Sequence, residues 1–240
     1  MIKNMAVFYK GLEQFHISLS DMQIEQFMKY YELLIEKNKV MNLTSIIEFE
    51  DVIIKHFLDS IVLGKFIDLK RNISLVDVGT GAGFPGLPLK IAFPGLSVTL
   101  IDSLNKRVGF LNEVKAALEL DNLEIVHGRA EDLGQNLVYR EKFDISVSRA
   151  VANLSVLSEY CIPFVKQDGY FVSYKSGNID EEIANAKGAL YLLGSRAERV
   201  ESFVLPDTDI SRSLVFIKKT AKTSKKYPRK AGLPSKSPLS

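Results

Sequence analysis

Two hydrophobic rhythms divide this chain. In its first third apolar residues recur every three to four positions. Ile24, Phe27, Tyr31, Leu34 and Ile35 share one helical face, and Ser20-Asp21-Met22-Gln23 in front of them matches a capping box, so a helix runs from Ser20 to about Asn38. Residues 1–17 read as helical from about Lys3. Val40–Ser45 has no helical period and reads as a connection in which Asn42 suits a turn. Glu48–Leu63 is a second amphipathic helix carrying Val52, Ile53, His56, Phe57, Ser60 and Ile61 on adjacent turns. His56 and Asp59, three residues apart, could pair by a hydrogen bond.

From Ser74 the rhythm changes to short β-branched runs alternating with helical stretches. Ser74–Val78, Ser97–Ile101, Leu123–His127, Phe143–Ser148 and Gly169–Tyr174 read as strands, with helices at Leu104–Leu120, near Asn153–Pro163 and at Asp180–Leu193. Arg199–Leu205 and Leu214–Lys218 form a last pair joined by a turn-rich segment. Alternation predicts an α/β fold with a mainly parallel sheet and right-handed crossovers, and the last pair predicts an antiparallel end. The seven-stranded unit spans 73–219, a helical extension precedes it over 1–72, and a tail of Lys, Ser, Pro and Gly follows over 220–240. The tail's composition predicts disorder.

The most informative stretch is Ser74–Gly86, SLVDVGTGAGFPG, a strand running into a glycine-rich turn. Gly79, Gly81 and Gly83 alternate. A dinucleotide fingerprint read from Gly79 needs a third glycine at position 84, where Phe84 stands. What fits in frame is Asp77 followed by alternating glycines, which resembles the first motif of S-adenosylmethionine (SAM)-dependent methyltransferases. Phe84 could wall a pocket or pack under the next helix.

Ligands of open α/β sheets sit beyond the carboxyl ends of the strands, so the residues after each strand form one constellation. Asp102, 21 residues beyond Gly81, is placed to accept ribose hydroxyls or to cap a helix. In Gly128-Arg129-Ala130-Glu131-Asp132 an acid can reach an adenine amino group while a backbone N–H meets a ring nitrogen; a surface acid near a helix start is the alternative. Arg149, in Ser148-Arg149-Ala150, leaves a buried strand and needs an anion: a ligand carboxylate, an RNA phosphate or a neighbouring Asp. Lys175 could contact RNA phosphate, sit near the target base, or be a plain surface lysine.

Charge adds a partner class. Eight Lys/Arg and no acid lie from Lys218 to Ser240, leaving 23 Lys/Arg against 29 Asp/Glu in the rest of the chain. A basic tail on an acidic body suits a polyanionic partner or a solubility device. The three histidines and single Cys161 form no recognisable zinc site, no disulfide is possible, and no segment reads as a signal peptide or membrane span; a cytoplasmic protein without a metal is expected.

Absences narrow the chemistry. There is no Pro-Pro pair for an exocyclic-amine motif, and Cys161 sits in a predicted helix as a small buried residue. Guanine N7 is a nucleophile that needs no base, only alignment and exclusion of water. Together with NLTS (Asn42–Ser45), KHFLDS (Lys55–Ser60), DVGTGAGFPGLPLKI (Asp77–Ile91), DSLNKRVGFL (Asp102–Leu111), GRAED (Gly128–Asp132), SRAVANL (Ser148–Leu154) and KKYPRKAGLPSKSPL (Lys225–Leu239), the chain resembles the bacterial 16S ribosomal RNA guanine-N7 methyltransferases of the glucose-inhibited division protein B family. The resemblance implies a Rossmann-like methyltransferase fold, SAM as cofactor, and a guanine in the 530 loop of 16S ribosomal RNA, free or in the small subunit, as target. It implies SAM contacts at Gly79, Phe84, Ala130, Glu131 and Arg149. With the residue reading, the cofactor set becomes Asp77, Gly79, Gly81, Gly83, Phe84, Asp102, Ala130, Glu131 and Arg149. Arg149 and Lys175 are then expected to align substrate and RNA without a general base, and a monomer is expected, though composition and spacing do not give the oligomeric state. The tail becomes an RNA-contacting arm whose loss leaves SAM affinity intact. A small-molecule methyltransferase, a nicotinamide oxidoreductase and a non-catalytic RNA-binding module are the competing readings.

Overall fold

A computed structural model describes residues 5–69, 72–149, 152–177 and 179–240; Lys3 and Ala150 lie outside them. The chain opens with α1 (Ala6–Phe15) and α2 (Asp21–Met41). The capping box forms: the Gln23 amide donates to Ser20 Oγ, and Gln23 Oε1 accepts from the Ser20 amide. α2 runs three residues past the expected Asn38, and Asn42 caps it with φ 49°, the left-handed turn role expected of it.

The second amphipathic stretch is not one helix. It breaks into α3 (Phe49–Val52), a π-helical turn (Ile53–Leu58), α4 (Asp59–Ile61) and α5 (Leu63–Phe66). A π turn inserts one residue into the helical repeat and re-aims the side chains on it, often at functional sites. Here it carries His56 and leads into Asp59.

The sheet follows as β1 (Ser74–Val78), α6 (Gly86–Ala92), β2 (Ser97–Asp102), α7 (Asn105–Ala117), β3 (Leu123–His127), α8 (Ala130–Leu133), β4 (Phe143–Arg149), α9 (Leu154–Cys161), a 3-10 turn (Ile162–Phe164), β5 (Val165–Ser176), α10 (Asp180–Leu192), β6 (Ser195–Val204), β7 (Ser211–Lys219) and α11 (Leu233–Lys236). Strand order is β3-β2-β1-β4-β5-β7-β6. β1 to β5 pair in parallel, and β7 runs antiparallel to both β5 and β6. This is the mainly parallel α/β sheet with an antiparallel end that the alternation predicts, and the Rossmann-like fold that the resemblance implies.

Strand side chains alternate between faces, and both faces are covered. Leu75, Val147, Val172 and Phe216 pack beneath the N-terminal helices with Phe8, Phe27 and Phe57. Val76, Val78, Phe171, Val215 and Ile217 pack beneath α9 and α10 with Leu157, Cys161 and Leu190. Cys161 is fully buried, as a small apolar residue would be. No helix among the described residues is long and apolar enough to cross a membrane.

The tail departs from the expected disorder. Thr223, Tyr227, Pro228 and Pro234 are buried, and Tyr227 joins the core beneath α9. Arg229 forks onto the fully buried Glu159, with Nε 2.9 Å from Oε1 and Nη2 2.7 Å from Oε2. Arg140 reaches the carbonyl oxygens of Thr223 and Tyr227 at 2.8 Å each. Composition missed this because a few anchors in a polar segment do not change its average.

Candidate active site

Two cavities open at the carboxyl ends of the strands. One, about 260 Å³, lies beyond β1, β2 and β3 and is lined by Val78, Gly79, Ile101, Asp102, Gly128, Ala130 and Glu131, with Leu157 and Tyr160 from α9 and Gly232 and Ser235 from the tail. The other, about 330 Å³, lies beyond β4 and β5 and is lined by Ile46, Lys55, His56, Asp59, Arg149, Tyr174, Lys175, Ser176 and Arg212. β1 stands between the two halves of the sheet, where the direction of strand crossover reverses.

The first cavity has apolar walls and acidic ends, the make-up that suits a nucleoside. Asp102 Oδ2 accepts from the Gly81 amide at 2.9 Å and Oδ1 from the Leu104 amide at 2.9 Å. Asp102 thus ties the glycine loop to the start of α7 while it lines the cavity. Glu131 Oε1 accepts from the Gly232 amide at 2.9 Å. Gly81 has φ 62°, and a Cβ built there would meet only open space. Bare backbone therefore faces a volume that another molecule can approach closely.

Asp77 is not in either cavity. It is fully buried, and its Oδ2 accepts from Thr80 Oγ1 at 2.6 Å and from the Gly86 amide at 2.9 Å. Burial pushes its carboxyl up to about 6, opposed by those two hydrogen bonds. Asp77 holds the loop in shape from below, in place of the direct cofactor contact expected of it. Gly83 is likewise a packing position: a Cβ there would lie 2.4 Å from Leu87 Cδ1 and 2.7 Å from Tyr30 Oη.

Phe84 and Arg149 also sit apart from the first cavity. Phe84 is 7% exposed and packs between the ring of His56, 4.4 Å away and nearly parallel, and that of Tyr30. The Arg149 guanidinium lies 5.1 Å from its centroid, a cation–π contact. Phe84 thus takes the packing role. Arg149 Nη1 donates to Asp59 Oδ2 at 2.9 Å and to the Lys55 carbonyl at 3.2 Å, and Nη2 meets His56 Nδ1 at 3.2 Å. The anion that Arg149 needs is therefore Asp59. His56 and Asp59 both grip Arg149 instead of pairing with each other, because the π turn aims both at it.

The contacts of His56 fix its tautomer. Arg149 has only donors, so Nδ1 accepts and Nε2 carries the proton. Nε2 then donates to Thr44 Oγ1 at 2.9 Å, which also accepts the Ile46 amide. Burial and the Arg149 charge lower the imidazole to about 3. His56 is neutral with both nitrogens engaged, so it is a strut and not a base.

Lys175 Nζ donates to the Ala152 carbonyl at 2.8 Å and to Glu182 Oε1 at 2.6 Å. An ammonium has three donors, and Lys175 lines the second cavity with Lys55 and Arg212. Arg212 Nε stands 3.5 Å from Asp59 Oδ1. Four cations face one lining carboxylate there, which suits an anionic ligand.

Sequence reading did not reach Tyr30 or Arg212, paired Asp59 with His56 instead of Arg149, and took Gly232 and Ser235 only as part of an RNA-contacting tail. Asp59 lay within the quoted KHFLDS stretch. Gly232 and Ser235 lay within the quoted Lys225–Leu239 stretch, while Tyr30 and Arg212 carry no local signal, since only the fold brings them to the loop and the second cavity.

Solved structures share the fold. The AdoMet complex of TYW2 from M. jannaschii aligns with a TM-score of 0.51 at 15% identity, covering 63% of this chain and 73% of that one. MtNAS in complex with MTA and tNA aligns at 0.54 and 15% identity, covering 80% and 74%. The family model described as rRNA small subunit methyltransferase G matches residues 23–215. Two curated relatives carry the name ribosomal RNA small subunit methyltransferase G. The protein of Lachnoclostridium phytofermentans is 53% identical over 238 residues, 99% of this chain and 98% of that one. The protein of Bacillus licheniformis is 52% identical over 236 residues, 98% and 99%. With a family model matched over most of its length and relatives more than 50% identical from end to end, this chain belongs to the rRNA small subunit methyltransferase G family.

Proposed function

We propose that this protein transfers the methyl group of SAM to N7 of a guanine in the 530 loop of 16S ribosomal RNA, in the small subunit or its RNA. One observation carries the reading: a nucleoside-sized cavity ending in Asp102 and Glu131 and a cavity lined by Lys55, Arg149, Lys175 and Arg212 open at the same end of one sheet. The residues present fit SAM. Asp102 suits the ribose hydroxyls, Ala130 and Glu131 the adenine edge, and Gly79 and the open face of Gly81 the close approach of the remainder. SAM bound there supplies an electrophilic methyl group.

The chain's own residues then hold and align. Lys175, Lys55 and Arg212 neutralise RNA phosphates, and Arg149, clamped by Asp59 and His56, gives a fixed charge beside the acceptor. No side chain is required to remove a proton from N7, whose lone pair is free. That agrees with a site whose one histidine is neutral and fully hydrogen-bonded.

Methyl-labelled SAM incubated with small subunits, or with their RNA, tests the reading. Label should appear on one guanosine of the 530 loop, at a position that becomes aniline-sensitive after borohydride reduction, as N7-methylation makes it. Label on another atom or loop would overturn the N7 and 530-loop assignment. No transfer to either substrate would overturn the reaction.

A further inference from the structure

We infer that the C-terminal tail is a strap forming one wall of the nucleoside cavity, and that Arg229 and Gly232 are positioning residues for Glu131. The inference rests on the reading of that cavity as the SAM site.

The strap is pinned on both sides of the cavity residues it supplies. Before them, Arg229 engages Glu159 through its backbone amide at 2.8 Å as well as through the guanidinium fork. A fully buried carboxylate is costly unless paired, so Glu159 commits the strap to this position. After them, Arg229 Nη2 also donates to the Ser237 carbonyl at 2.8 Å, closing a short loop of chain upon itself. Gly232 and Ser235 lie within that loop, and both line the cavity.

Gly232 gives the strap its chemical role. Its φ is 82°, the left-handed region that glycine adopts without strain, and this conformation presents its amide to Glu131 Oε1 at 2.9 Å. A backbone amide on one carboxylate oxygen fixes the rotamer of Glu131 and leaves its second oxygen for another donor. With the strap absent, Glu131 loses that partner and the cavity loses a wall. Strap docking and SAM binding should therefore be mutually reinforcing.

Titration calorimetry with SAM tests this on the full chain and on Gly232→Ala, Arg229→Ala, Arg229→Lys and Lys222→Ala. Wild-type binding checks the SAM site itself; differences among the variants check the strap. Gly232→Ala leaves Tyr227, Arg229 and Pro234 in place, so it separates the strap from the fold. Gly232→Ala and Arg229→Ala should raise the SAM Kd about tenfold or more, and Arg229→Lys by less. Lys222, an exposed tail residue outside the cavity, should leave it unchanged on Lys222→Ala. In methyl transfer the KM for SAM should rise while kcat stays within about twofold. SAM should also slow tryptic cleavage after Lys230 in the wild type. Folded Gly232→Ala and Arg229→Ala proteins with wild-type SAM affinity, or tryptic cleavage indifferent to SAM, would overturn the strap. Failure of the wild type to bind SAM would overturn the site and the strap with it.

Discussion

The Tyr30 hydroxyl, on a helix that precedes the sheet, donates to the Ala82 carbonyl in the glycine loop at 2.5 Å. The loop is thus shaped from two sides. Asp77 holds Thr80 and Gly86 from the sheet, and Tyr30 holds Ala82 from the N-terminal helices. Burial raises the Tyr30 hydroxyl well above its ordinary pKa, so it remains a donor at every working pH. Tyr30→Phe removes this bond and leaves a buried carbonyl short of a partner. It should lower stability by about 1–3 kcal/mol, read by chemical denaturation. If the loop shapes the nucleoside site, SAM affinity should fall with it; a full loss of stability with unchanged affinity would confine Tyr30 to the core.

His56 should not titrate near neutrality. Its folded pKa of about 3 lies below the ordinary 6.5. The stability it contributes is therefore present above pH 6.5 and is lost as the pH falls through that window toward 3. Its imidazole resonances should keep neutral chemical shifts from about pH 8 down to about pH 5 in the folded protein. Methyl transfer should show no inflection from His56 over that range. An imidazole titrating near 6.5 would contradict the buried Thr44–His56–Arg149 chain.

Asp77 has the opposite sign. Its folded pKa is raised from 3.8 to about 6. Its contribution is complete below pH 3.8 and is lost as the pH rises through about 6. Asn does not titrate, so the stability of the wild type minus that of Asp77→Asn isolates this group. The difference should shift against the wild type by up to about 3 kcal/mol between acid and neutral pH. A pH-independent difference would mean that the carboxyl is not perturbed. Because His56 and Asp77 oppose each other over pH 4–6, the wild-type curve alone should look flatter than either component.

Asp102→Ala should raise the SAM Kd by about one to two orders of magnitude, from lost charge-assisted hydrogen bonds of roughly 1.5–3 kcal/mol. It also strips the Gly81 and Leu104 amides of their acceptor, so a loss of stability should accompany it. Calorimetric binding and thermal melting separate the two effects. Unchanged SAM affinity in a folded variant would reduce Asp102 to a cap of α7.

Local pattern determined the sheet of this protein. Seven strands, their parallel majority and antiparallel end follow from periods that each segment carries in itself, and the alternating glycines mark the loop because a backbone that must turn left or be approached closely needs them. Asp102 and Glu131 were legible for the same reason: they follow strands, and the ends of parallel strands converge. The roles of Asp77, Phe84 and Arg149 were not. Each lies at a strand or loop position where a ligand contact and an internal contact look alike in sequence, and only the arrival of Gly86, Tyr30, His56 and Asp59 from other elements gave Asp77, Phe84 and Arg149 their internal partners, while leaving Arg149 on the wall of the second cavity. The π turn escaped because one inserted residue hardly disturbs a hydrophobic period, though it re-aims every side chain that follows. The tail escaped because docking rests on a few long-range partners, Glu159, Glu131 and Arg140, which average composition does not record. Tertiary structure alone divided the carboxyl end of the sheet into a cavity ending in Asp102 and Glu131 and a basic one, since the walls of both come from segments far apart along the chain.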